Sequence, residues 1–292
     1  MSAVDVSALV RTRARHPEAI AEAAARRLRR PLVGASGRLM IIAADHPARG
    51  ALGVGKDPLA MADRADLLER LCLALSRPGV DGVLATADIL DDLLLLGALD
   101  GKVVMGSMNR GGLAGAAFEL DDRFTGHRAE DLERLGFDAG KLLLRVDYDD
   151  PGSLATLYST ARAVDAMAER QLPVFIEPFL CRRSPDGLRN DLSAAAVTRS
   201  IAIASGLGGT SAYTWLKVPV TENPDDMARV MEASTLPAVL LGGDIGDTDT
   251  AFEKWRGALQ LPTVYGLVAG RTLLYPADGD VAGAVDTAVG LL

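Results

Sequence analysis

Eight short apolar runs separated by helical patterns constrain this chain more than any other feature. They are LMIIAAD (39–45), GVDGVLAT (79–86), KVVMGSMN (102–109), GKLLLRVDY (140–148), LPVFIEPFL (172–180), AYTWLKVPV (212–220), LPAVLLGGD (236–244) and TVYGLVAGR (263–271). Gly, Pro or Asp bounds each run, as strand punctuation does. Near-continuous apolarity, in place of alternation, marks parallel strands covered by helices on the outside.

The intervening patterns predict helices over 60–77, 88–98, 128–137, 153–170, 190–205, 224–234, 247–260 and 278–291. Ser153, Asn223 ahead of Pro224, and Asp247 read as helix-starting residues. Eight strand–helix units in order predict an α/β fold, a (β/α)8 TIM barrel. A doubly wound sheet is the rival, but the even spacing and the length fit the barrel. Residues 39–292 would form this barrel as one domain, and 1–38 an N-terminal helical extension capping its floor. The longest connection, 107–126, is rich in Gly and charge, and loops of that length are functional or mobile.

Composition excludes several classes. The net charge of −8 lacks the clustered positive excess that a nucleic-acid surface needs. No run reaches the ~18 apolar residues of a membrane span. Cys72 and Cys181 are too few for a disulfide framework, which points to reduced thiols in the cytoplasm. Glu18 and Glu22 interrupt the arginine-rich N-terminal stretch, which reads as a surface helix and not as a targeting peptide. His16, His46 and His127 are widely spaced, so no metal ligand pattern stands out and no cofactor is called for.

In a barrel, chemistry sits at the C-terminal strand ends. Polar residues late in the apolar runs are Asp45, Arg145, Asp147, Glu177, Lys217 and Asp244. Lys217 is one of only five lysines against 26 arginines, and it sits among Trp215, Leu216, Val218 and Pro219. An amine held there loses solvation of its charged form and becomes a nucleophile toward carbonyls. The alternative is a side chain whose stem snorkels to water. Glu177 reads as a general acid or base, or as half of a structural ion pair. Asp45 would orient the lysine or bind hydroxyls, or else cap the following turn.

Alternation puts Lys141 on the face of Arg145 and Asp147, either in a charged channel or as an ion-pair partner beneath it. Gly242 and Gly243 after the seventh run, with Gly270 and Arg271 after the eighth, place bare N–H groups and a cation where barrels commonly hold phosphate.

In order, IIAADH, GFDAGKLLLRVDYDDPG, VFIEPFL, WLKVPV, LLGGD and VAGRTLLYP resemble the class I Schiff-base aldolases, from about residue 38 to 290. That family includes tagatose-bisphosphate, archaeal-type fructose-bisphosphate and deoxyribose-phosphate-aldolase-like barrels. The resemblance implies a metal-independent aldolase with Lys217 as the Schiff-base lysine, Glu177 as the acid/base and Asp45 as the strand-one aspartate. It further implies that Lys141 stands near the substrate, and that the glycine pairs with Arg271 bind phosphate.

Two departures bear on the substrate. Arg145 and Val146 stand where relatives carry aromatics, and ADHPARGALGVG replaces a glutamine-containing motif. Arg145, which would meet a substrate carboxylate, and the C-terminal run make the chain most similar to the barrels associated with inositol catabolism. Their implied substrate is 2-deoxy-5-keto-gluconate 6-phosphate, cleaved to dihydroxyacetone phosphate and malonate semialdehyde. Other outcomes of the same fold are a deoxyribose-phosphate or ketose-bisphosphate aldolase, a phosphosugar isomerase, or a non-catalytic phosphometabolite-binding barrel. The expected partner is a small phosphorylated carbohydrate, with assembly into a homo-oligomer.

Overall fold

The computed structural model describes residues 4–109, 112–185, 187–242 and 248–292. Eight of its strands form the staves of a closed parallel barrel: β1 (Leu39–Ala44), β2 (Gly82–Ala85), β3 (Val103–Ser107), β4 (Ala139–Val146), β5 (Val174–Ser184), β7 (Thr214–Val218), β8 (Ala238–Leu241) and β9 (Val264–Ala269). Each pairs in parallel with its barrel neighbours, and the β4–β5 and β1–β9 ladders complete the circle. The fold is a TIM barrel. The ninth strand, β6 (Gly187–Asn190), is not a stave: it returns antiparallel along the end of β5, with Cys181 opposite Asn190.

Helices lie between the staves: α3 (Arg64–Ser76), α4 (Ala87–Leu95), α5 (Ala129–Arg134), α6 (Gly152–Glu169), α7 (Ala194–Ser205), α8 (Met227–Met231), α9 (Thr248–Ala258), α10 (Arg271–Leu274) and α11 (Val281–Val289). Their starts show how local chemistry sets the boundaries. Asp63 accepts from the backbone N–H groups of Ala65 and Asp66 to open α3, and Ser193 does the same for Ala196 at α7. Asn223 caps a short 3-10 turn at Pro224–Asp226 that precedes α8, so the expected helix over 224–234 is shorter and broken. Ser153 lies inside α6 instead of capping it, and its hydroxyl exchanges hydrogen bonds with the backbone of Asp147. Asp247 falls outside the described residues.

Strand alternation sorts the core into two regions. Met40, Ile42 and Ala44 face outward into a large layer shared with the helices. Leu39, Ile41, Ala43, Val103, Met105, Phe175, Val239 and Val268 fill the barrel interior with Leu84 and Ala139. All are buried, and each large side chain among them contributes about 1.5–3 kcal/mol on leaving water. This packing closes the lower barrel and leaves room only above it. A smaller apolar group, Leu143, Phe179 and Leu241, sits in the next layer and lines the opening.

Ahead of the barrel come α1 (Val6–Arg15) and α2 (Ala19–Arg26). Arg27, which ends α2, is buried and donates to the carbonyls of Lys102 (2.6 Å) and Gly136 (2.5 Å) and to Asp138 (3.1 Å). Those acceptors stand at the N-terminal ends of β3 and β4, so the end of α2 is tied to the floor of the barrel, while Arg13 ties α1 to α4 through Asp92. Among the described residues, no helix is long and apolar enough to cross a membrane.

Candidate active site

A cavity of about 600 Å³ opens at the C-terminal ends of the strands, and Lys217, Glu177, Arg145, Gly242, Gly270 and Arg271 contribute to its lining. Four charged side chains from β4, β5, β7 and the residue after β1 meet at its base. Lys217 Nζ donates to Glu177 Oε1 at 2.7 Å. Lys141 Nζ lies 2.5 Å from Glu177 Oε2 and donates to Asp45 Oδ2 at 2.9 Å. The order Asp45, Lys141, Glu177, Lys217 is therefore a row of alternating charges. All four residues are less than a tenth exposed, and burial without such pairing would be costly.

Inward positions along each strand produce this row. Lys141 stands beside Phe175 across the β4–β5 ladder, and Leu143 beside Glu177, while Lys217 faces Val239 on β8. Lys141 thus occupies the layer just below Leu143 and is neither a channel wall nor remote from the site. It bridges the two carboxylates.

The two lysines are pushed in opposite directions. Burial lowers the Lys217 amine below the ordinary lysine value, with the Lys141 charge helping and Glu177 and Asp45 opposing. Burial also works against the charge on Lys141, but Asp45 and Glu177 together outweigh it and raise that amine. The number of carboxylates held explains the difference: Lys141 touches two and Lys217 one. Burial would raise the Glu177 carboxyl, yet Lys141 and Lys217 prevail and hold it at about 2. The same balance, led by Lys141, keeps Asp45 well below the carboxylate range. His46 lines the cavity beside Asp45, and burial pushes its imidazole down to about 4, so it is neutral near pH 7.

Arg145 does reach the cavity, but it already holds a carboxylate. Its Nη1 lies 2.7 Å from Glu119 Oε1, and Glu119 comes from the long segment between β3 and α5. The expectation of an Arg145 waiting for a substrate acid is corrected accordingly. Asp147 is turned away: it accepts from the backbone N–H groups of Asp149 and Arg183 and fixes those turns.

Gly242 and Gly270 lie side by side at the cavity, with Arg271 beginning α10 next to them. A Cβ built on Gly270 would collide with the carbonyl oxygen of Ala43, so strand packing by itself requires this glycine. Gly243 and Asp244 fall outside the described residues. Among the described residues, no group of three or more His, Cys, Asp or Glu side chains is arranged to hold a metal ion.

The residues that sequence reasoning missed are Arg49, Glu119 and the β5–β6 hairpin, from which Arg189 and Asn190 reach the cavity. SPDG (184–187) between polar flanks was a turn signal that could have revealed the hairpin. Nothing local marks Arg49 or Glu119, because their roles depend on the path of a loop.

Comparison with known structures agrees with this architecture. The crystal structure of Cgl0159 from Corynebacterium glutamicum is 55% identical, with a TM-score of 0.95 over 98% of this chain and 96% of that one. A Schiff-base-forming fructose-1,6-bisphosphate aldolase matches at 19% identity and a TM-score of 0.66, over 93% of this chain and 99% of that one. An archaeal fructose-1,6-bisphosphate aldolase, with its catalytic lysine covalently bound to the carbinolamine intermediate, matches at 18% identity and a TM-score of 0.65, over 93% and 98%. At those identities the aldolases share the barrel with this chain. Among proteins with curated descriptions, none matches. The Cgl0159-like family model matches residues 37–289, from the segment leading into β1 to the end of α11, and the chain belongs to the Cgl0159-like family.

Proposed function

We propose that the protein is a class I aldolase that forms a Schiff base through Lys217 and cleaves a phosphorylated keto sugar. The observation that carries this reading is Lys217 itself: a buried amine of lowered basicity, 2.7 Å from an ionised carboxylate, at the base of a cavity wide enough for a sugar phosphate. The aldolase neighbours, one of them described as trapped on its catalytic lysine, support the same chemistry.

The geometry divides the labour. Neutral Lys217 attacks the substrate ketone, and Glu177, ionised at rest, takes the proton released as the carbinolamine forms. Glu177 passes that proton to the carbinolamine oxygen, and a second proton, drawn from solvent through the open cavity, releases this oxygen as water and leaves an iminium that draws electrons from the carbon–carbon bond to be broken. As that bond cleaves, Glu177 accepts the proton of the hydroxyl on the far carbon. Lys141 stays charged throughout; it holds Glu177 and Asp45 apart and aligned, and Asp45 faces substrate hydroxyls. Gly242, Gly270 and Arg271, with Gly243 beyond the described residues, would hold the phosphate and so fix the carbonyl over Lys217.

The test is a cleavage assay with coupled detection of triose phosphate in chelator-treated buffer. The panel is fructose 1-phosphate, fructose 1,6-bisphosphate, tagatose 1,6-bisphosphate, deoxyribose 5-phosphate and 2-deoxy-5-keto-gluconate 6-phosphate. Cleavage of at least one compound by wild type, abolished in Lys217→Ala, supports the reading. Turnover that survives Lys217→Ala would overturn it.

A further inference from the structure

The end of the cavity formed by Arg145 contains a charge arrangement that the proposed reaction does not use. Arg145 and Arg49 are close enough that burial and the neighbouring Arg145 charge lower the Arg49 guanidinium. One carboxylate serves both: Glu119 Oε1 lies 2.7 Å from Arg145 Nη1 and 3.9 Å from Arg49 Nη2. Two guanidiniums facing one oxygen are a geometry that otherwise recognises a phosphate or carboxylate of a ligand.

Glu119 is also firmly seated. Its Oε2 accepts from the backbone N–H of Gly115 at 3.1 Å, and its carbonyl accepts from Arg145 Nη2 at 3.5 Å. The loop around it is pinned at several points. The N–H of Ala114 donates to the Arg49 carbonyl at 2.9 Å, that of Asp122 donates to Thr156 Oγ1 at 3.0 Å, and Thr156 Oγ1 donates to the carbonyl of Leu120. The Glu119 side chain is only 6% exposed, and swinging it out would take its carboxylate away from the buried Arg145 and the part-buried Arg49.

We propose that Glu119 is a specificity-determining residue: a built-in counter-anion that fills the Arg49–Arg145 site and restricts the enzyme to substrates phosphorylated at one end and uncharged at the other. This rests on the reading that the opposite end of the cavity, at Gly242, Gly270 and Arg271, holds the single phosphate. A second phosphate or a carboxylate at the far end meets Glu119 and is repelled, because rejection by a fixed like charge is an efficient way to exclude a competitor. Polar, uncharged hydroxyls find hydrogen-bonding partners there at no such cost.

The test measures binding of glucitol 6-phosphate and glucitol 1,6-bisphosphate by calorimetry. Neither compound has a carbonyl, so neither engages Lys217. Wild type is expected to bind the bisphosphate no more tightly than the monophosphate. Glu119→Gln should shift the ratio toward the bisphosphate by about tenfold or more, as expected when a like charge beside two guanidiniums is removed. Adding Arg49→Gln to that variant should take the gain away.

A wild type that prefers the bisphosphate by about tenfold, a ratio unmoved by Glu119→Gln, or binding of neither compound would overturn the proposal. The wild-type comparison needs no variant and stands even if Glu119→Gln does not fold. Cleavage by wild type with an unmoved ratio sinks the role of Glu119 alone. A shifted ratio without cleavage of any compound sinks the reaction and leaves the role of Glu119 standing.

Discussion

Replacing Glu177 by Gln should separate the two halves of the proposed chemistry. The substitution keeps the shape of the side chain and removes one negative charge from the row Asp45, Lys141, Glu177, Lys217. What remains is two amines and one carboxylate in a site less than a tenth exposed to solvent. Lys141 keeps Asp45 at 2.9 Å, whereas Lys217 loses the one carboxylate it touches, at 2.7 Å. Opposite unit charges about 4 Å apart attract by about 4 kcal/mol at an effective dielectric constant of about 20. That attraction favours the ammonium form of Lys217, and burial of the amine opposes it by several kcal/mol.

In wild type the balance already leans toward burial, since the Lys217 amine is lowered. Without Glu177 nothing comparable offsets burial, so the free amine extends to still lower pH. The imine should therefore still accumulate in Glu177→Gln, more slowly because Glu177 no longer relays its protons, with its pH limb moved to the acid side. Cleavage, which needs a proton acceptor, should fall by about 10²–10⁴-fold, the usual contribution of a positioned acid–base group. Borohydride trapping followed across pH, in parallel with the cleavage rate, measures both. Cleavage retained within about threefold, far short of that contribution, or a trapping limb that moves toward alkaline pH, would refute the reasoning.

Three further outcomes follow from the same contacts. Asp45 and Glu177 have folded-state values depressed below their ordinary carboxylate values, Glu177 from 4.5 to about 2. The stability they contribute is present above about pH 5 and is lost as pH falls through the folded values; a thermal melt series should show the midpoint dropping between about pH 4 and pH 2 and not rising there. Asp138→Asn leaves the buried Arg27 guanidinium without its carboxylate partner, so chemical denaturation should show a loss of about 3–5 kcal/mol. Gly270→Ala forces a methyl against the Ala43 carbonyl between β1 and β9 and should cost about 1–3 kcal/mol in the same assay.

The barrel was legible because its strands are buried on both faces: a run such as LMIIAAD has no other economical use. The base of the site was legible for a related reason. Charged residues late in apolar strands had to find partners, and Glu177 and Lys217 found each other. Lys141 was half legible: alternation placed it on the face of Arg145, but its position between Asp45 and Glu177 depends on strand stagger, which spacing within one strand does not reveal. Arg145 was read as meeting a substrate carboxylate; the carboxylate it meets in the structure arrives from residue 119, on a loop with no periodicity. Residues 181–189 fell between the expected strand (172–180) and the expected helix (190–205), because a short exposed hairpin carries little apolar signal; only its SPDG turn marked it.

Intact-protein mass spectrometry after sodium borohydride reduction with dihydroxyacetone phosphate tests the central claim most directly. The account requires one adduct, with the mass of the reduced imine, that maps to Lys217 and is absent from Lys217→Ala. An adduct on Lys141 instead, or none at all on protein that still binds phosphate, would contradict it.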